Sequence, residues 1–140
     1  SDCGLMLSDL SEDTIKRVIS TYPPGWMVQN PIDMWSAIEE VGADEAYLKI
    51  TQAVMEDPEV DGVSIIFMVI PTVTEMDIRR FVRAIKVYEK PFAICFMGGD
   101  MRVVDDWERI IEEEKVPVYH SPERAIRAIG TVLRWKNGKV

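Results

Sequence analysis

This sequence is short of several residue types, and each shortage removes a class of function. It has two cysteines, Cys3 and Cys95, and one histidine, His120. Two cysteines without CxxC spacing build neither a disulfide framework nor a zinc knuckle, and one histidine leaves no Cys/His metal set. Positive charge is scarce too: 16 Lys and Arg stand against 24 Asp and Glu, a net charge of −8. Such a field repels a phosphate backbone, which disfavours nucleic-acid binding. No apolar run approaches the ~18 residues of a membrane helix, so no membrane association is expected. No signal-peptide pattern opens the chain. Unpaired cysteines and no leader together point to a reducing, cytoplasmic location.

What is present is an alternation. The centrepiece is Val63-Ser64-Ile65-Ile66-Phe67-Met68-Val69-Ile70, stopped by Pro71. It is short, β-branched and without polar alternation, and so reads as a strand buried on both faces in the middle of a parallel sheet. Phe92–Phe96 is a second such strand. Val116–Tyr119 is a short last strand, and its proline places it at a sheet edge. Leu5–Leu7 and Met27–Val28 read as shorter extended pieces.

Helical stripes fill the gaps. Ser11 caps Ile15, Val18, Ile19 and Tyr22, and Pro23-Pro24-Gly25 ends that helix. Residues 34–42 read as a loop or one irregular turn. Ala43 opens a helix carrying Ala46, Tyr47, Ile50, Ala53 and Val54, closed by Pro58. A helix with the stripe Ile78, Phe81, Val82 and Ile85 starts somewhere in Thr72–Asp77; Thr72 with Glu75, or Thr74 with Asp77, has capping-box spacing. Further helices carry Val103, Val104, Trp107, Ile110 and Ile111, then Ala125, Ile126, Ile129, Val132 and Leu133. Ser121 caps the last, with Pro122 at its first position. Ser1–Gly4 reads as the tail of a helix closed by glycine. Strand–helix alternation means βαβ units with right-handed crossovers. With 140 residues, one α/β domain over 1–140 is expected.

Three places could carry function. In open α/β sheets ligands gather past the carboxyl ends of strands. Here that is the loop Thr72-Val73-Thr74, whose backbone N–H groups would face an anion if the helix began there. Gly98-Gly99 forms a glycine turn without a P-loop or dinucleotide fingerprint; paired glycines allow close backbone approach. Asn30-Pro31-Ile32-Asp33 is a stiff segment in which Asn30 and Asp33 brace neighbouring loops. His120 has no adjacent nucleophile and orienting acid and reads as a surface histidine. No catalytic residue and no metal ligand is assigned.

Several segments in fixed order resemble a known family. They are Gly4-Leu5 with Leu10–Thr14, Asn30-Pro31-Ile32-Asp33, Glu56–Val63, Lys90-Pro91-Phe92 to Met97-Gly98-Gly99, Val116–Tyr119, and Ser121–Ala125. The chain resembles the CoA-ligase domain of NDP-forming acyl-CoA synthetases (acetate–CoA ligase, ADP-forming), relatives of succinyl-CoA synthetase. That resemblance implies a three-layer, flavodoxin-like fold with a mostly parallel sheet and helices on both faces. It implies that the chain is a fragment of a multidomain enzyme that also holds a CoA-binding domain, a second ligase domain and an ATP-grasp domain. The parent would convert acid, CoA and ATP to acyl-CoA, ADP and phosphate through a phosphohistidine, using CoA, ATP/ADP and Mg.

By the same resemblance the phosphohistidine belongs to another domain, and His120 does not match it. This chain alone would bind no cofactor and would wall the phosphohistidine site, with Thr72–Thr74 facing phosphate. Relatives carry Gly-Gly where this chain has Ile70-Pro71-Thr72, and proline brings no N–H. They also begin with a strand and a glycine-rich loop that have no counterpart here, so the family's first strand is missing from the expected sheet. The alternative is a free-standing, flavodoxin-like interaction module without catalysis. Oligomerisation is left open.

Overall fold

The computed structural model describes residues 3–138. In chain order the elements are α1 (Glu12–Ile19), α2 (Trp35–Val41), α3 (Ala43–Glu56), β1 (Val63–Val69), α4 (Ile78–Lys86), β2 (Phe92–Gly99), α5 (Met101–Glu113), β3 (Val118–Tyr119) and α6 (Pro122–Lys136). The chain divides into two compact units. One holds residues 3–6, 61–69 and 89–138, and the other holds 7–60 and 70–88.

The first unit contains the sheet. Its order is β1-β2-β3 and both pairings are parallel. α6 lies over one face, where Ala125 and Ile129 pack on Ala93 and Cys95 of β2, joined by Leu5, Tyr119 and Leu133. α5 covers the other. There the Trp107 ring meets Phe67 edge-on at 5.7 Å and stands 6.3 Å from Phe96. Phe67 is fully buried, a burial worth ~2–3 kcal/mol. Helices on both faces of a parallel sheet are the α/β architecture that the alternation predicts.

The expectations for β1 are corrected in two respects. β1 stands at the end of the three-stranded order rather than in its middle. It is also buried on one face only: Ile65, Phe67 and Val69 are inside, whereas Ile66 is 42% and Met68 56% exposed. A run whose only polar residue is Ser64 conceals this alternation, because period 2 is plain only when the outer residues are polar throughout. Leu5–Leu7 forms no strand; Leu5 packs instead on the α6 side of the sheet. Cys3-Gly4 is a turn with Gly4 at φ +69°, while the expected helix tail at Ser1–Asp2 lies outside the described residues.

The second unit is helical, with α3 packed against α1, α2 and α4. Tyr47 of α3 meets Phe81 of α4 edge-on at 6.2 Å. Val18, Ile50, Ala53, Val82 and Ile85 complete the interior. α2 replaces the loop expected over 34–42. Ala37 and Ile38 give it a buried side, and Gly42 at φ +85° ends it. No side chain of the cap residue Met34 bonds the helix start, so the usual sequence signal of an N-terminus is missing. Met27–Val28 belongs to no strand.

Candidate functional site

The exit from β1 is the position from which a flavodoxin-like domain would work. In the second unit, Ile70–Thr74 is a closed turn. Val73 and Thr74 donate their backbone N–H groups to the Ile70 carbonyl, at 3.2 and 3.0 Å. The buried Thr74 hydroxyl accepts from the Ile70 N–H at 2.9 Å and donates to the Ile70 carbonyl at 3.0 Å. Thr72 sits at φ +66°, a left-handed conformation uncommon for a β-branched residue.

Helix α4 begins only at Ile78, with Asp77 as its cap accepting from Arg80 N–H. Thr72, Val73 and Thr74 are therefore not the helix N-terminus that the capping-box spacing suggests. Thr74 is consumed inside the turn, and Asp77, the downstream member of the pair Thr74/Asp77, is the cap. The α4 start is also occupied by carboxylates, since Asp77 N–H donates to Asp44 Oδ1 at 3.0 Å. An anion arriving here meets two negative side chains in place of open N–H groups.

Asn30 and Asp33 hold the segment between α1 and α2. Asn30 Nδ2 donates to the Ser8 carbonyl at 2.9 Å. Asp33 Oδ1 accepts the Trp35 N–H at 3.0 Å, an Asx-type turn that starts α2 without help from Met34. The Tyr22 hydroxyl donates to the Asp33 carbonyl. Burial, then the nearby Asp33 charge, push Tyr22 and Tyr47 up to about 12. The side chains thus tie three stretches of chain to one another.

Gly98 and Gly99, in the first unit, end β2 rather than forming a loop. Phe67 pairs with Phe96 but Val69 pairs with Gly99, so Met97 and Gly98 stand opposite the single residue Met68. That is a β-bulge. Gly99 has φ +117°, and a Cβ there would lie 2.0 Å from the Val69 carbonyl oxygen. Its lack of a side chain is demanded by β1. Gly98 has φ +131°, and a Cβ there would stand in open space. After the bulge Asp100 N–H bonds the Val69 carbonyl at 2.9 Å, and Asp100 caps α5.

His120 Nε2 lies 3.1 and 3.2 Å from the two Glu108 carboxylate oxygens and is exposed. No nucleophile accompanies it in these contacts. Among the described residues no group of three or more His, Cys, Asp or Glu side chains could hold a metal ion. Among them, too, no helix is long and apolar enough to cross a membrane.

Two positions not singled out by the sequence matter structurally. The Asp57 carboxylate, fully buried, accepts from Ser11 N–H at 2.8 Å and Glu59 N–H at 2.9 Å. Glu56 binds Arg17 at 2.7 Å and the Tyr88 hydroxyl at 2.6 Å. The first had a signal, an Asp before Pro at a helix end, where an Asx turn is favoured. The second had none.

Comparison with known proteins finds relatives among the ADP-forming acetate–CoA ligases. Acetate–CoA ligase (ADP-forming) II of Archaeoglobus fulgidus is 32% identical over 98% of this chain, which spans 20% of that protein. The alpha subunit of acetate–CoA ligase (ADP-forming) II of Pyrococcus furiosus is 32% identical over 96% of this chain, which spans 29% of it. The chain matches one domain of the ADP-forming acetate–CoA ligases. It is therefore far shorter than the ligases it matches.

A crystal structure of a Pyrococcus horikoshii OT3 protein superposes with a TM-score of 0.75 at 30% identity, covering 99% of this chain and 32% of the other. A dinucleotide-forming acetyl-coenzyme A synthetase 1 of Candidatus Korarchaeum cryptofilum, at 24% identity, has a TM-score of 0.73 and supports the fold. No protein-family model matches the chain.

Proposed function

We propose that this chain is a non-catalytic domain of an ADP-forming acyl-CoA ligase, and that its work is to wall the reaction site and hold the interface with the other domains or subunits. The observation that carries this reading is the 32% identity along 98% of the chain, confined to 20% of a complete ligase. In this reading the parent joins a small carboxylic acid to CoA with ATP, releasing ADP and phosphate. The phosphohistidine, the nucleotide with its Mg2+, and CoA are handled by the CoA-binding, second ligase and ATP-grasp domains.

The chemistry of the chain agrees with a supporting part. Thr74 and Asp77 spend their polar groups on their own backbone, and the Asn30 and Asp33 side chains bond the backbone of Ser8 and Trp35. Such groups stiffen a surface instead of attacking a substrate. The cytoplasm, where ATP and CoA are supplied, is the location that goes with this activity.

The experiment is reassembly. The chain is assayed for acyl-CoA formation from acetate, CoA and ATP, first alone and then joined to the remainder of its parent reading frame. No turnover alone and turnover when joined is the expected result. Turnover by the chain alone, or a joined protein without any ligase activity, sinks the reading.

A further inference from the structure

We infer that the outer face of α4 is a docking surface for an acidic amphipathic helix of a partner polypeptide. The inference stands apart from the ligase reading and uses only this helix and the charge of the chain. α4 runs Ile78-Arg79-Arg80-Phe81-Val82-Arg83-Ala84-Ile85-Lys86, with four cations in nine residues and no acid. The rest of the chain then holds 12 Lys and Arg against 24 Asp and Glu. A basic helix on so acidic a chain reverses the field locally. Ile78, Phe81, Val82 and Ile85 are buried, while Arg80, Arg83, Lys86 and Val87 are exposed.

The stability of α4 alone does not explain these residues. Arg79 and Arg80 stand in the first turn, where the helix dipole favours acids; α1, α3 and α6 place Glu or Asp there. The acids at this end, Asp77 and Asp44, accept the N–H groups of Arg80 and Asp77. Arg83 and Lys86, in the last turn, suit the dipole. Yet Arg79 with Arg83 at i,i+4, and Arg83 with Arg80 and Lys86 at i,i+3, are like charges at spacings that weaken a helix. α3, α5 and α6 pair their own charges instead, as Lys49–Glu45, Arg109–Glu113 and Arg127–Glu123. α4 has no acid of its own for this.

Arg80, Arg83, Ala84 and Val87 follow at i, i+3, i+4 and i+7, so they share one face over about two turns, roughly 10 Å. Val87 continues α4 in helical backbone as its cap, and it is 75% exposed. At about 3.6 residues per turn, Arg79 and Lys86 fall beside Arg83 and Ala84 lies on the opposite side. The face thus joins a small apolar strip to a cationic flank. A helix laid along it covers Ala84 and Val87 and brings its carboxylates to the arginines, whose planar fork can hold a carboxylate by two bonds. Arg79, Arg83 and Lys86 also have interactions within the chain, which an arriving carboxylate shares or displaces. The apolar strip favours a polypeptide over a bare polyanion, and the net charge of −8 disfavours nucleic acid.

An NMR titration of the 140-residue chain tests this with three probes. The first is a synthetic helical peptide of about 20 residues, long enough to fold in water, with a leucine seam flanked by glutamates. The second carries lysines in place of the glutamates, and the third is inorganic polyphosphate. Saturable shifts with the acidic peptide are expected, centred on the Arg80, Arg83, Ala84 and Val87 amides. The affinity should fall about tenfold or more between ~0.05 M and ~0.5 M salt, as screening shortens the reach of the charges. The lysine peptide should give no saturable shift. Arg80→Glu with Arg83→Glu should abolish binding of the acidic peptide, and Arg80→Gln with Arg83→Gln should weaken it about tenfold. The glutamine pair keeps the test valid if the reversed pair fails to fold. Val87→Asp should weaken binding as well, because it puts a charge in the strip.

No saturable shift with the acidic peptide, or undiminished binding by the folded variants, overturns the inference. Polyphosphate that moves the same amides with equal or higher affinity overturns it in favour of a polyanion site. Shifts of these amides that grow with the chain's own concentration, and vanish in the variants, overturn it in favour of a second copy.

Discussion

The Asp57 carboxylate accepts the backbone N–H of Ser11 at 2.8 Å across 46 residues of sequence, joining the end of α3 to the cap of α1. Ser11 in turn receives the Thr14 N–H at 3.3 Å. Cap and carboxylate thus form one network in a buried place.

Replacing Asp57 should be costly for that reason. Asp57→Ala strands the Ser11 and Glu59 donors and should destabilise the chain by about 2–4 kcal/mol, read as a lower urea midpoint. Burial alone would raise this carboxyl's pKa, but hydrogen bonds from Glu59, Thr14 and Ser11 outweigh it and hold the pKa below the ordinary value of 3.8. A depressed folded pKa adds stability that is present above the unfolded pKa and is lost as pH falls through the folded one. Asp57→Asn should therefore flatten the acid limb of a stability curve below pH ~4. An unchanged acid limb contradicts the network.

Gly99 and Gly98 should part company on mutation. Gly99→Ala drives a Cβ to 2.0 Å from Val69 O, backbone that cannot swing aside, at φ +117°. Gly98→Ala has φ +131° but open space, so only its backbone strain of about 1–3 kcal/mol applies. The Gly99 variant should lose clearly more in thermal unfolding. Equal losses would mean that the bulge relaxes and that β1 does not dictate this glycine.

What the sequence shows and hides follows from where each signal sits. α1, α3, α5 and α6 carry buried stripes, and Ser11 and Ser121 are caps whose side chains bond the backbone as their residue types suggest. α2 stays hidden because its start is propped by Asp33 from outside the helix. The one-sided burial of β1 stays hidden because Ile66 and Met68 are apolar on the open face. For the candidate site, residue types identify Asn30, Asp33 and the Pro71 turn as ordered places. They cannot say that Val73 and Thr74 spend their N–H groups on Ile70, since turn closure depends on the φ of Thr72.

Inorganic phosphate should consequently leave the Val73 and Thr74 amides alone. Both already donate to Ile70 O, and the helix behind them starts with Asp77 held against Asp44. In an NMR titration of the chain with phosphate, their shifts should stay constant while any general ionic-strength drift is shared by exposed amides. Saturable movement confined to these two amides would restore a direct phosphate contact. Thr74→Val, which removes both hydroxyl bonds to Ile70, should cost about 1–2 kcal/mol and is the variant in which such movement could first appear.

The alkaline limb should be set by three tyrosines. Tyr22 and Tyr47 are raised to about 12 by burial and then by the Asp33 charge. Tyr88 is raised to about 12 by burial, then by its hydrogen bond to Glu56 and that residue's charge. The unfolded value is 10.0. A raised folded pKa means that the native chain holds these protons after the unfolded chain has lost them. The contribution is complete below pH 10 and declines as pH rises toward 12. Urea midpoints measured between pH 9 and 11.5 should therefore fall with a slope that Tyr22→Phe, Tyr47→Phe and Tyr88→Phe each reduce. Tyr88→Phe also releases Glu56, whose carboxyl is held below its ordinary value first by Tyr88 and then by Arg17. That variant alone among the three should weaken the acid limb as well, and an acid limb unmoved by Tyr88→Phe would show that Arg17 suffices to hold Glu56 ionised.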